Sequence, residues 1–251
     1  IDAKLISKML LSYDYKTNSS ISYHILKLKS LTRFRKRLVK NRTVFKERLI
    51  NILDVAFPEY SKYFTQVWGK VSFYILKNYP TAKDIANIDI DVVAPIIYKL
   101  SKGHYSMIKL MKLIETAKIS IGFQNSYHIL ELQLTINMIE QLDTSIEQIE
   151  NEIIQIMSLY DFKTATIPGI GIISAASIVS EFEDFTKFQN SSQMLSFAGL
   201  EPYTYQSGTQ QTFGHMVKRG SSYLRETLMN VVPYVMTYNS TFYEYYRKKK
   251  N

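Results

Sequence analysis

The residue in this chain best suited to nucleophilic attack is Ser207, because the glycine that follows it leaves its hydroxyl group unobstructed. A serine that attacks a phosphodiester needs an exposed oxygen, a group that takes its proton, and cations around the phosphate. Lys218, Arg219 and Arg225 follow along the chain and could supply the cations. His215 is a nearby imidazole that could act as the base. A Ser-Gly pair in a polar stretch is also typical of an ordinary turn, so both interpretations stay open.

Residues 167–176 have the pattern of a helix-hairpin-helix turn, in which Pro168, Gly169 and Gly171 lie between a hydrophobic residue and a helix rich in small residues. Glycine admits positive φ and lets another backbone pass close by. The N–H groups at the start of the next helix can then donate to a phosphate oxygen without reading base sequence. The pattern predicts DNA contact at these three residues, although an ordinary glycine-containing connection between packed helices would look similar.

A basic helix is predicted over residues 28–56, with apolar residues on one face. Between positions 33 and 48 the only acid is Glu47. The cations of that stretch are Arg33, Arg35, Lys36, Arg37, Lys40, Arg42, Lys46 and Arg48. Because one anion cannot neutralise them, we expect most to lack partners. Phosphate contact is therefore an open interpretation beside a merely solvated polar face, and its candidates are Arg33, Arg35, Arg37, Lys40 and Arg42.

A second long helix is predicted over residues 128–157, about 45 Å in length. Its isoleucines and leucine recur at alternating spacings of three and four residues, a heptad pattern that needs a packing partner. These positions are Ile139, Leu142, Ile146, Ile149, Ile153 and Ile156. The partner is either the basic helix folded back on it or a second subunit, which would make a homo-oligomer. Between the two long helices, the aromatic residues from Tyr60 to Tyr74 are expected to lie in a core, with stacking on nucleic-acid bases as the alternative. Shorter helices are predicted over 84–100 and 105–118.

The composition bounds the class of protein. The chain has 251 residues, a formal net charge of +9 and no cysteine, which excludes disulfides and thiolate metal sites. Basicity favours a polyanionic partner, nucleic acid first. The sequence has neither a membrane-spanning run nor a signal peptide, so we expect a cytoplasmic protein with no membrane partner. Few glycines and prolines predict a mainly α fold: a long helical linker with a coiled coil, then a small helical domain with the helix-hairpin-helix turn and a short loop or hairpin insertion.

Several motifs in the last third of the chain occur in a characteristic order and spacing. They are Ile167-Pro168-Gly169-Ile170-Gly171, Phe197-Ala198-Gly199-Leu200, Gln206-Ser207-Gly208, Lys218-Arg219-Gly220 and Leu224-Arg225. With them, residues 161–251 resemble the C-terminal transposase domain of the insertion sequence 110 family, which is related to the Piv and MooV DNA invertases. The resemblance implies a serine at the position of Ser207 that attacks DNA, an element-encoded bridge RNA, oligomeric assembly and a bacterial, nucleoid-associated location.

The resemblance also implies a RuvC-like N-terminal domain with four acids that bind Mg²⁺. Asp2 matches the last acid, and the other three are expected before Ile1, so the metal site is incomplete. We therefore expect residues 1–20 to be a remnant of the catalytic domain, 21–160 a helical linker and 161–251 the C-terminal domain. The full-length protein would use Mg²⁺, Asp2 and Ser207, whereas the fragment would bind DNA without cutting it and hold no cofactor. The alternatives are a non-catalytic helix-hairpin-helix DNA-binding module and a helical scaffold.

Overall fold

A computed structural model describes residues 23–123, 125–207 and 210–250. In this part of the chain helices predominate, and the mainly α prediction is confirmed. The helices are α1 (Tyr23–Ala56), α2 (Lys70–Asn78), α3 (Ala82–Ala86), α4 (Ile90–Ser101), α5 (Met107–Lys118), α6 (Ser126–Ser158), α7 (Ile172–Phe182), α8 (Ser191–Ala198), α9 (Ser222–Tyr238) and α10 (Ser240–Lys250). The strands β1 (Pro202–Ser207) and β2 (Gln210–Met216) form an antiparallel hairpin between α8 and α9.

The chain divides into two compact units. Among the described residues, the first unit comprises 23–35 together with those from Ile149 onward, and the second comprises those of Lys36–Gln148. Helices α1 and α6 therefore contribute residues to both. No helix in the described ranges combines the length and apolar character needed to cross a membrane.

The second unit has a core built around Tyr60, as predicted for the aromatic stretch. The ring of Tyr60 is fully buried and stacks on Phe64, and its hydroxyl donates to the carbonyl oxygen of Ser72 at 3.1 Å. The helix predicted over residues 84–100 is wrong, because α3 ends at Ala86 and α4 begins at Ile90. Asp89 explains the break, since its carboxylate accepts the backbone N–H of Asp91 and caps a new helix.

The heptad residues of α6 are buried as predicted at four positions: Ile139, Ile146, Ile153 and Ile156. In the first unit, the packing partner of this seam is α1, since Ile153 and Leu28 belong to one buried cluster. Lys27 pairs with Glu152 on the flank of that cluster, and Arg35 pairs with Glu150. The alternative of a helix folded back within the chain is therefore observed, and assembly through a second subunit stays a prediction.

The expectation that most cations of α1 lack partners is wrong. Their acidic partners come from helices far away in sequence, where a count of charges along α1 could not find them. Three cations form ion pairs and two lie over aromatic rings: Arg33 with Glu181, Arg35 with Glu150, Arg42 with Asp143, Lys46 over Trp68 and Arg48 over Phe45. Phosphate contact by this helix stays a prediction, but the argument that its cations lack partners no longer supports it.

Candidate functional site

Ser207 is the last residue of β1, at the turn of the hairpin. It pairs with Gln210, and Pro202 at the other end of β1 pairs with Met216. A hairpin was one of the forms expected for this polar stretch, and it is confirmed. The turn residues 208 and 209 lie outside the described residues. The backbone thus places Ser207 at the end of the hairpin farthest from the helices that carry it.

Two chain segments cross at the base of the hairpin, and glycine is required on both. Gly199 ends α8 with φ +67°, and a Cβ atom there would lie 1.7 Å from the carbonyl oxygen of Arg219. Gly220 has φ +90°, and its Cβ would lie 2.1 Å from the carbonyl oxygen of Phe197. The N–H of Lys218 donates to the carbonyl of Gly199 at 3.2 Å. Each segment therefore occupies the space that a side chain on the other would need.

The motif residue Arg225 strengthens the same crossing. Its guanidinium donates to the carbonyl oxygen of Ala198 at 3.2 Å, and its side chain is half-buried. Lys218 and Arg219, in contrast, are exposed at the base. Of the three cations predicted to surround the phosphate near Ser207, two are accessible to a phosphate, whereas Arg225 also holds the end of α8 in place.

Glu181 connects three helices beside this base. Its carboxylate is buried in α7 and accepts two hydrogen bonds from the guanidinium of Arg33 in α1, at 2.6 and 2.8 Å. The hydroxyl of Ser221, which caps α9 by accepting the N–H of Leu224, donates to the same carboxylate at 2.7 Å. Burial raises the pKa of Glu181, but the hydrogen bonds from Arg33 and Ser221 outweigh it and hold the pKa below its ordinary value.

Sequence reasoning missed Glu181, although a signal was present. It lies on the apolar helix α7, whose neighbouring residues Ile178, Val179 and Phe182 are buried. An acid on such a face must find a cation or a hydrogen-bond donor, because an unpaired buried carboxylate is costly.

The structure does not bring Ser207 together with the cations and the imidazole expected around it. Ser207 lies five positions after Pro202, so the two ends of β1 are about 17 Å apart at the usual rise of a strand. Lys218 and Arg219 follow the end of β2 at the base, and His215 precedes the residue that pairs with Pro202. The polar stretch forms extended strands instead of a compact loop, and that extension separates groups which are close in sequence.

The two glycines of the predicted helix-hairpin-helix turn have different roles. Gly169 has φ +95°, and a Cβ there would lie 2.6 Å from the backbone nitrogen of Val235 in α9, so the close approach is to the chain's own helix. Gly171 has an ordinary φ of −72°, is exposed, and has open space where a Cβ would be. Pro168 is exposed as well. The element before the turn is a single 3-10 turn, Lys163–Thr166, and DNA contact at the turn stays a prediction.

The described residues contain no group of three or more His, Asp or Glu side chains arranged to hold a metal ion. Asp2, the residue predicted to bind Mg²⁺, lies outside the described ranges.

Two family models match this chain. Residues 163–247 match the model described as the transposase IS116/IS110/IS902 family, and residues 1–58 match a second model described as a transposase. The two ranges together cover more than half of the chain. The first contains the hairpin, the glycine crossing and most of α10, and the second contains Asp2 and α1.

Two curated relatives are similar over shorter segments. A probable family 20 transposase of Pseudomonas aeruginosa is 36% identical over 64 residues, which is 26% of this chain and 19% of the relative. A transposase for insertion sequence element IS1111A of Coxiella burnetii is 32% identical over 68 residues, which is 27% of this chain and 19% of the relative. The match thus spans about a fifth of the length of each relative.

Proposed function

Because the chain belongs to the IS116/IS110/IS902 family of transposases, we propose that it binds DNA and presents Ser207 to a phosphodiester at the tip of its hairpin. One observation carries the proposal: Ser207 ends β1 at the turn, on a hairpin whose base is fixed by the crossing of Gly199 and Gly220. A nucleophile on a projecting hairpin can enter a DNA groove that a serine in a packed helix could not reach. The crossing fixes the base from which it projects.

In this proposal the DNA backbone is held at two places in the first unit. Lys218 and Arg219 are exposed at the hairpin base and can pair with phosphates. The exposed start of α7 at Gly171 has no acid in its first turn and no side-chain cap, so its N–H groups are open to a phosphate oxygen. Both sites would contact only the phosphate backbone of the DNA, so this binding would not depend on base sequence. They hold the duplex while the hairpin tip reaches the scissile strand.

At the tip, the Ser207 oxygen forms a bond to phosphorus and one bridging oxygen of the phosphodiester leaves, which conserves the bond energy for rejoining. Because the length of β1 separates Ser207 from the cations and the imidazole near the hairpin base, we expect the proton acceptor and the charge-stabilising groups to come from outside β1, β2 and α9. Mg²⁺ held by Asp2 with further acids would stabilise the negative charge on the phosphate. A bridge RNA and assembly into a homo-oligomer, both implied by the family resemblance, complete this proposal.

The test compares Ser207→Ala with Thr212→Ala, a second loss of a hydroxyl in the same hairpin. The two variants are placed in the full-length protein and supplied with its DNA and RNA. Ser207→Ala should lower strand exchange by about 1,000-fold or more, since loss of a nucleophile removes the covalent step, while DNA affinity changes by less than about twofold. Thr212→Ala should retain exchange. Strand exchange by Ser207→Ala at the wild-type rate would show that the nucleophile is another group.

A non-catalytic DNA-binding module is a second candidate, favoured by the distance between Ser207 and the cations of the base. It predicts that Ser207→Ala leaves every activity unchanged, while loss of Lys218 and Arg219 weakens binding. Both candidates predict a steep fall of DNA affinity with salt, because phosphate contacts release counterions. A flat salt response would leave only the helical scaffold.

A further inference from the structure

The helix α10 carries a basic and aromatic surface that the proposed function does not use. We propose that the outward face of α10 binds an unpaired nucleic-acid strand, with its cations on the phosphates and Tyr243 stacked on a base. This inference rests on the proposed function, because it assumes that the protein works on nucleic acid. It adds a binding surface for strands that are not in a duplex.

The charge of α10 favours a polyanion. Its last turn consists of four successive cations, Arg247 to Lys250, and Glu244 is the only acid of the helix. None of the four takes part in an ion pair among residues 23–123, 125–207 and 210–250. A single cation would suffice to complement the helix dipole at this end. Four in succession surround the helix with charge that no acid in the described part of the chain pairs with.

The apolar face of α10 is directed at its own unit. Phe242, Tyr245, Tyr246 and Lys249 line an apolar groove together with residues of α9. Ile167 and Ile170, which flank Gly169 in the turn, line the same groove. This face of α10 is therefore continuous with the turn that the proposed function places against DNA.

A second face of α10, about a third of a turn around the helix from the groove, combines an aromatic ring with cations. Tyr243, Arg247 and Lys250 are spaced by four and three residues, so they form one stripe about 10 Å long on the helix surface. Tyr243 is 49% exposed, and none of these three residues lines the groove. A ring in line with two cations provides a surface for a base followed by phosphates.

A tyrosine ring in line with cations fits an unpaired strand better than a duplex or a membrane. A base offers its face to a tyrosine only when it is unstacked, whereas a duplex presents phosphates but no free base faces. An amphipathic helix binds a bilayer through its apolar face. In α10 the apolar residues Phe242, Tyr245 and Tyr246 lie along the groove beside α9. Tyr243 instead shares its stripe with cations, which favours a polyanionic strand as the ligand.

The cationic part of the proposal is tested with the triple variant Arg247→Gln, Lys248→Gln, Lys250→Gln in the full chain. Binding of a labelled 20-nucleotide DNA strand is measured by fluorescence anisotropy at several salt concentrations. Losing three phosphate contacts should reduce the slope of log affinity against log salt by about 2, since each contact with a single strand contributes about 0.7. Circular dichroism confirms that the variant is folded.

The matched control removes the same charge from exposed positions of another helix, with Lys109→Gln, Lys112→Gln and Lys118→Gln in α5. This variant should change the salt slope by less than about 0.5, because only non-local electrostatics are altered. Equal changes in the two triple variants would overturn the proposal, since net charge alone would then explain binding.

Stacking is tested at Tyr243. Tyr243→Ala should weaken single-strand binding by about 5- to 150-fold, the range for loss of one stacking ring, and Tyr243→Trp should retain binding. The control Tyr127→Ala removes an equally exposed ring from α6 and should have no effect. Unchanged affinity in Tyr243→Ala would overturn the proposal. Comparing a DNA strand with an RNA strand of the same sequence identifies the source of the ligand.

Duplex DNA and lipid vesicles separate the outcomes. If Lys218→Gln with Arg219→Gln abolishes duplex binding while the α10 variants bind single strands normally, this inference fails and the proposed function stands. If the α10 variants lose single-strand binding and duplex binding is absent even in the wild type, the inference stands and the proposed function fails. Binding to vesicles of phosphatidylserine and phosphatidylcholine without binding to any oligonucleotide would overturn both in favour of a lipid surface.

Discussion

Replacing Gly199 by alanine should destabilise the first unit severely. The residue has φ +67°, a conformation that costs a residue with a Cβ about 1–2 kcal/mol. The new Cβ would lie 1.7 Å from the carbonyl oxygen of Arg219, well inside contact distance, so one of the two crossing segments must move and break the hydrogen bond between Lys218 and Gly199. Adding the loss of that hydrogen bond gives a decrease in the free energy of unfolding of about 2–3 kcal/mol, before any cost of moving the backbone.

Gly171→Ala is the matched control. Gly171 has φ −72° and nothing within 4 Å of the position of a Cβ, so the change in unfolding free energy should stay within about 1 kcal/mol. Both variants are unfolded in urea and followed by far-ultraviolet circular dichroism. Fluorescence of Trp68, the single tryptophan, reports separately on the second unit. If the urea unfolding curve of Gly199→Ala had a midpoint and a slope close to those of Gly171→Ala, the backbone crossing would be refuted.

Three further predictions concern charge and packing. The pKa of Glu181 is lowered in the folded state, so its contribution to stability is present above its unfolded pKa and is lost as pH falls through the folded value. Glu181→Gln should therefore cost about 1–3 kcal/mol at pH 7 and reduce the fall in the urea midpoint between neutral and acidic pH. A pH dependence of the midpoint equal to that of the wild type would contradict the buried ion pair. Ile139→Ala should destabilise the second unit by about 2–5 kcal/mol through the cavity left in its core. Urea unfolding followed by Trp68 fluorescence should show a lower midpoint, and an unchanged midpoint would mean that Ile139 is not buried in that core. Lys218→Gln with Arg219→Gln should weaken binding of unrelated duplexes equally and reduce the salt slope by about 2, whereas a sequence-dependent loss would indicate base contacts.

The long helices could be predicted because their information is local. Apolar residues at spacings of three and four give α6, and Pro58 after Ala56 gives the end of α1. The burial of Tyr60 followed from the same reasoning. The break between α3 and α4 was missed because a single capping side chain, Asp89, outweighed the apolar periodicity on both sides of it.

The partners of charged residues could not be predicted, because they depend on which helices meet. Arg33 and Glu181 are 148 residues apart in sequence, and neither helix alone indicates the pair. The geometry around Ser207 was misjudged for a related reason. Closeness in sequence was taken as closeness in space, but an extended hairpin carries Ser207 away from Lys218 by the length of a strand. The Gly199 crossing was found only as a motif, and its physical cause required coordinates.

The central claim is that Ser207 forms the covalent bond to DNA. The direct measurement is to quench the full-length protein during strand exchange, digest the DNA with nuclease and the protein with trypsin, and locate the nucleotide adduct by mass spectrometry. The relevant tryptic peptide covers residues 188–218 and contains other hydroxyl groups, so fragmentation must assign the site. We predict the adduct on Ser207 and its absence from Ser207→Ala. An adduct on a different residue, or accumulation of exchanged product with no adduct at any time, would contradict the claim.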